Sequence, residues 1–411
     1  MNTEKIHSKT KFFLSYLWIT IILSQVLRSN FSLIYFTIFF STFFVISIFI
    51  YKKGFFFRGV DFFTINIWIF YFMILYIAFI TFFYGDLNDF LKGFPRMIIM
   101  PLTVIVFINL ISTKNHFTKI IDLFIFFSII AALSLVYQVY NGPIEFLVDS
   151  HTRLGLNRYA STFGSLTVYG GAVGVITLLV VKRDLNIFLK FLIIALFFTS
   201  AFVTLSKAAV INVLIVSFFS LFFLKIKSKR YLFILIIMGV ISVYFIFPGL
   251  GVYIIKSIEA VGLSSGKVDI TSNSSLYAQF FKRFFYPANY LAQFNFVNVF
   301  FGFGIIGGGG VFGLPYSYTG TTHNQFFDLY LIGGVFLFLN ILFIVWCLML
   351  ELYKMKKKDV MADTFFYCNL IAIINMFFFN GFLYQPVTSF VFWLSLVYVL
   401  NFRNNIDEKN I

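Results

Sequence analysis

Charge is what this sequence has least of. Lysine, arginine, aspartate and glutamate together make 11% of 411 residues, and the acids number only 16. That is too little to cover a water-soluble domain of this size. Cysteine is scarcer still: Cys347 and Cys368 both fall in apolar runs. They exclude a disulfide framework, and no Cys/His spacing suits a metal. No D-x-D pair occurs, so a metal-dependent nucleotide-sugar glycosyltransferase is not supported. A Walker loop and an H-E-x-x-H pair are missing too, which argues against an ATPase and a membrane metalloprotease. Acids inside apolar runs are rare, Asp122 near an end and Asp328, which weakens a proton-coupled transporter. No metal and no cofactor are expected.

What is present is apolar. Hydrophobic residues make 60% of the chain, aromatics 22%, and phenylalanine alone occurs 64 times. Repeated uncharged runs of about 18 residues or more mean membrane helices. The expected fold is an all-α polytopic membrane protein, a single integral membrane domain over residues 1–411. Twelve spans are expected: 12–27, 31–51, 62–84, 97–111, 120–140, 163–181, 187–203, 208–224, 231–247, 324–350, 365–383 and 387–402. The fourth is short and borrows from the loop before it; a ten-span reading merges or drops some of the others. The first run lacks a small-residue cleavage site and reads as a retained anchor. Counted over alternate loops, 21 of the 31 lysines and arginines lie on one side and 10 on the other. By the positive-inside bias the richer side, with both termini, is cytoplasmic. The net charge of +15 is therefore mostly topological, and no nucleic-acid partner is expected.

The outer side carries the longer loops: 85–96, 141–162 and 248–323, the last of 76 residues. Long loops on a rigid scaffold are where function concentrates. Within the last, residues 274–286 read as a helix capped by Asn273 or Ser274, with a wide apolar face bordered by Lys282 and Arg283. It suits either an interfacial helix on the outer leaflet or a lid on the bundle. Gly302-x-Gly304-x-x-Gly307 matches a dinucleotide loop, but such a loop belongs between a strand and a helix in the cytoplasm. Close-packed or flexible backbone is the better reading. His323 follows, where the loop enters the tenth span, and a histidine there suits a general base or a capping residue. Asp328, five residues on, is turned about 140° around a helix and is poorly placed to orient it. Asn324 is the better neighbour. The outer cations Arg153, Arg158, Lys207 and Arg283 suit an anionic headgroup, or simple snorkelling. "TLSK", residues 204–207, sets a lysine in a tight turn between two apolar runs, where a charge is costly without a partner.

Three stretches together resemble the O-antigen polymerase and ligase superfamily of bacterial envelope enzymes. "RLGLNRYASTFGS", residues 153–165, resembles the family's arginine segment, with Arg153 and Gly164 spaced as R-x10-G. "TLSKAAV" resembles its T-x-S-R turn, with Lys207 where arginine is usual. "FGFGIIGGGG…THNQFFDLYLIGG" is similar to its glycine stretch followed by His-Asn, nine residues and a glycine, here His323, Asn324 and Gly334. A second R-x10-G from Arg283 ends on Phe294 instead of glycine. Leu337 stands where the ligase pattern prefers Gly, Thr or Tyr, which favours polymerase over ligase. The resemblance covers roughly residues 150–350. It implies metal-independent glycosyl transfer at the outer face of the bacterial inner membrane, from a glycan on undecaprenyl pyrophosphate. His323 would be the base; Arg153, Arg158, Lys207, Arg283 and Asn324 would bind substrate. The acceptor would be a second lipid-linked repeat unit, or lipid A–core in a ligase; membrane lipids and a chain-length regulator are the implied partners. A lipid-linked-glycan flippase is the competing class.

Overall fold

The structure is a computed structural model and describes residues 13–19, 61–84, 87–111, 113–144, 147, 151–153, 155–164, 166–222, 241, 248–262, 296–302, 304, 324–377, 383 and 385–403. In chain order its elements are α1 (Phe62–Tyr84), α2 (Leu87–Leu110), α3 (Lys114–Asn141), β1 (His151–Arg153), β2 (Leu156–Arg158), α4 (Leu166–Lys182), α5 (Ile187–Val203), α6 (Lys207–Phe222), α7 (Pro248–Gly262), α8 (Phe296–Phe301), α9 (Gln325–Met355), α10 (Val360–Met376) and α11 (Pro386–Phe402). Residues 13–19 are also helical. Three helices, over Phe62–Phe83, Lys114–Asn141 and Gln325–Met355, are long and apolar enough to cross a membrane. On α1, Phe63, Ile67, Phe70, Ile74 and Ile77 are buried, yet the opposite face exposes Phe62, Ile65, Trp68, Phe72, Leu75 and Phe79. A helix apolar all round suits a bilayer and not water.

Expected spans 62–84 and 187–203 coincide with α1 and α5. The loop expected at 85–96 is corrected: α2 starts at Leu87. Leu87, Phe90, Leu91 and Phe94 recur at helical spacing, and the Phe90 and Phe94 rings stack at 5.2 Å. The 248–323 segment holds two helices, α7 and α8, that its periodicity did not flag. The spans expected at 31–51 and 231–247, most of 12–27, and the helix at 274–286 lie outside the described residues.

The chain divides into two compact units. The first comprises Met1–Trp18, Asn30–Phe117 and Arg283–Ile411. At one end of it the starts of α1, α3 and α10 meet the ends of α2 and α11. Arg403 pairs with Asp61 at 2.5 Å, Lys114 pairs with Asp359, and the Asn401 side chain donates to the Ile111 carbonyl at 2.7 Å. Successive helices joined at this end therefore reverse direction. Asp61 and Asp359 also cap α1 and α10, accepting from Thr64 N and from Met361 N, both at 2.8 Å. Buried polar side chains are matched between helices: Asn340 donates to the Asn66 carbonyl at 3.0 Å and Asn369 to Ser395 Oγ at 2.8 Å. In an apolar surround such pairs hold helices together, since hydrophobicity cannot.

α9 is two helices end to end. Gly334 has φ 66° and ψ −164°, a backbone region open essentially to glycine alone. The 21 residues from 335 to 355 rise about 31 Å, enough to cross the hydrocarbon core. Residues 325–333 form a separate short helix. The break frees the Ile332 carbonyl, which accepts from Gly304 N at 3.0 Å. That approach is backbone on backbone. A Cβ at Gly302 would sit 2.3 Å from the Ile332 oxygen, and one at Gly334 would sit 2.2 Å from the Phe300 carbonyl.

The second unit comprises Ile19–Ser29 and Thr118–Lys282. α4 and α6 pack through small residues. A Cβ at Gly170 would meet Ser206 Oγ at 3.1 Å and one at Gly174 would meet Asn212 Cβ at 3.0 Å, while Asn212 donates to the Gly170 carbonyl at 2.8 Å. Arg183 forks onto Asp122 with two bonds of 2.7 Å, tying the end of α4 to α3. α7 packs on α5 and α6, with Ile254 against Phe202 and Val210.

Two stability predictions follow from the first unit. Gly334→Ala adds both backbone strain and a clash, and is expected to destabilise by upwards of about 2 kcal/mol. A thermal midpoint in detergent equal to wild type would contradict this. At Asp359, burial raises the carboxyl pKa, but hydrogen bonds from Lys114, Tyr398 and Ala362 N and the Lys114 charge outweigh it and hold it below the ordinary value. A depressed carboxylate contributes stability present above its unfolded pKa and lost as pH falls through its folded pKa. Asp359→Asn should therefore lower the midpoint at pH 7 and flatten the loss of stability below about pH 4. A pH profile parallel to wild type would remove the carboxylate from that role.

Candidate functional site

The segment carrying Arg153 and Arg158 is a two-stranded antiparallel ribbon. His151 pairs with Arg158, Thr152 with Asn157 and Arg153 with Leu156. Gly155, at φ +77°, supplies the left-handed residue that so short a turn needs. By strand alternation, positions 151, 153, 156 and 158 belong to one face, so the register brings both arginine positions to the same side. The chain then turns through residues 161–164, with Ser161 and Gly164 exchanging bonds of 3.1 and 2.8 Å. Gly164, the glycine of the R-x10-G spacing, has φ +95°. Its role in that spacing is a turn that a side chain would strain.

The "TLSK" stretch is the turn between α5 and α6. Thr204 closes α5, its Oγ1 donating to the Ala201 carbonyl at 2.7 Å. Leu205 follows at φ +48° while fully buried. Among the described residues it is the only non-glycine with positive φ, a conformation held only when its surroundings impose it. Lys207 is the first residue of α6. The two motifs meet here: Arg158 Nε donates to the Thr204 carbonyl at 3.0 Å. A guanidinium at the last carbonyls of a helix satisfies an acceptor the helix cannot, and its charge complements the helix dipole. The other four N–H groups of an arginine sit on its two terminal nitrogens, the fork that matches phosphate oxygens.

Around this contact stand groups that sequence reasoning missed. Gln138, on α3, donates to the Ala160 carbonyl at 2.9 Å and accepts from Ile144 N at 3.2 Å. Tyr253, on α7, donates to the Asn157 carbonyl at 2.6 Å. Burial, then the neighbouring Tyr159 hydroxyl, pushes the Tyr253 pKa well above its ordinary value. Neither residue carries a motif, and the signal that could have found them is polarity isolated in an apolar run.

In the first unit, Asn324 caps the short helix that opens α9. Its Oδ1 accepts from Phe326 N at 3.0 Å and Phe327 N at 3.4 Å, and the residue is 2% exposed. Asp328 N bonds to the Asn324 carbonyl, so both lie on one side of that helix, as spacing suggests. Gln325 is fully buried and accepts from Leu383 N at 3.2 Å. Arg283 and His323 lie outside the described residues. No group of acids, histidines and cysteines that could hold a metal occurs among the described residues.

Compared with protein-family models and with curated proteins, the sequence has no match.

If Arg158 braces the α5–α6 turn, Arg158→Ala should cost about 1–2 kcal/mol, since a carbonyl at a helix end loses its donor. The lower thermal midpoint of the purified variant checks this; an unchanged midpoint contradicts the brace.

Proposed function

We propose that this chain is an O-antigen polymerase, or a polymerase of a related surface polysaccharide, of the bacterial inner membrane. In this reading it crosses the membrane twelve times with both termini in the cytoplasm, and the reaction takes place on the outer side. The observation that carries the reading is the contact of Arg158 with the Thr204 carbonyl. Two stretches singled out by resemblance, 46 residues apart, are neighbours. Supporting it, Gly302, Gly304 and Gly334 of the third stretch belong to one close backbone contact.

The chemistry asks little of the protein. The acceptor sugar's hydroxyl oxygen attacks the anomeric carbon of the donor glycan. The bond from that carbon to the pyrophosphate oxygen breaks, and the electron pair leaves with undecaprenyl pyrophosphate. His323 takes the hydroxyl proton. The leaving group needs only stabilisation of its charge, which Arg158, Arg153, Lys207 and Arg283 supply. Asn324, next in sequence to His323, caps the start of α9. The acceptor is a second lipid-linked repeat unit, so the product is the chain lengthened on its carrier.

The test is purified protein with lipid-linked repeat units. Products longer than one repeat are expected, and His323→Ala should reduce them by about 10²-fold or more while leaving the protein in the membrane. Wild type that yields no longer chains, or that glycosylates added lipid A–core instead, overturns the polymerase reading. Normal chain length in His323→Ala removes the histidine from its role.

A further inference from the structure

Three elements place a hydrogen bond on residues 157–160. Gln138 of α3 holds the Ala160 carbonyl. The Thr204 carbonyl at the end of α5 holds the Arg158 side chain. Tyr253 of α7 holds the Asn157 carbonyl. The third differs from the other two, because α7 begins the long 248–323 segment and does not belong to the apolar spans. Its inward side, Leu250, Tyr253 and Ile254, is buried, and its outward side exposes Val252 and Ile255. The helix is thus docked firmly by one face, and the Tyr253 hydroxyl is the polar end of that dock.

The carbonyl of Asn157 and the amide nitrogen of Arg158 share one rigid peptide plane. Tyr253 therefore orients the plane from which Arg158 departs, while Thr204 holds the far end of the same side chain. An arginine fixed at both ends has little rotamer freedom left to lose when it takes a ligand. We propose that Tyr253 is a positioning residue: by fixing the 157–158 peptide, it presents the Arg158 fork to the pyrophosphate of the lipid-linked donor. This rests on the polymerase reading above.

The test uses Tyr253→Phe, which keeps the ring and with it the packing of α7. Binding of undecaprenyl pyrophosphate to the purified, nanodisc-embedded protein is measured directly. The variant is expected to bind about three- to ten-fold more weakly, the worth of one hydrogen bond. In an Arg158→Lys background, the same substitution should cause no further loss, because the fork it positions is gone. Wild-type affinity in Tyr253→Phe, with Arg158→Lys weakened, overturns this inference and leaves the proposed function standing. An equal loss in both backgrounds overturns it too, since the tyrosine would then act on the fold at large. Wild type that does not bind the probe overturns the polymerase reading and this inference with it.

Discussion

A backbone carbonyl that loses its helical partner in an apolar surround has to find another donor inside the protein. Two places in this chain show that constraint, one in each unit. At Gly334 the helix breaks, and Gly304 N takes over the Ile332 carbonyl. At Thr204 the helix ends, and Arg158 Nε takes the carbonyl. Both solutions draw on a distant stretch of sequence. Both fix that stretch in place, and each involves a motif that resemblance had picked out. The segments singled out by resemblance are held in place because the helices need what they offer.

This explains the conformations found beside those carbonyls. The glycines of 302–310 invite a ligand-cradling reading, but Gly302 is spent on letting two backbones touch, and Gly304 on a left-handed turn where a Cβ would meet Thr81 Oγ1 at 2.9 Å. Leu205 carries a left-handed backbone without the excuse of being glycine. It is tolerated because Thr204 and Ser206 are both engaged on either side of it: Ser206 N bonds Thr204 Oγ1 and Val210 N bonds the Ser206 carbonyl, so the turn is fixed around it. Strain in one residue is the cost of joining two apolar helices in three.

The helices were legible because hydropathy alone dictates them; the limits of α1 and α5 agree with the runs to the residue. Where hydropathy and periodicity disagreed, periodicity was right: residues 87–94 carry charge, yet continue the helix of α2. The break in α9 was not legible. Gly333 and Gly334 sit in an unbroken apolar run, and only the approach of Gly302 and Gly304 distinguishes them from glycines tolerated in any membrane helix. For the candidate site, the outer-side charge pattern singled out Arg158 and the tight turn singled out Lys207, but neither could supply the partners of Arg158. Thr204 contributes a carbonyl, a group every residue has, and Tyr253 is one of 23 tyrosines. Asn324 was legible as a neighbour of His323, while its engagement as a helix cap follows from the exact start of α9.

The electrostatics of the α5–α6 turn bear on what it is for. Arg158 lies at the carboxyl end of α5, where a cation is favoured by the helix dipole. Lys207 opens α6, where the dipole is of the same sign as its charge and a cation is disfavoured. Ser206, immediately before it, already holds the helix-start position at which Ser, Asp or Asn is favoured. Arginine and lysine are not interchangeable at the two positions either. The bond to the Thr204 carbonyl is directional and draws on one N–H of a planar fork, whereas a compact ammonium suffices where only charge is needed. Exchanging Arg158 for lysine would therefore remove the planar fork that now meets the Thr204 carbonyl through its Nε.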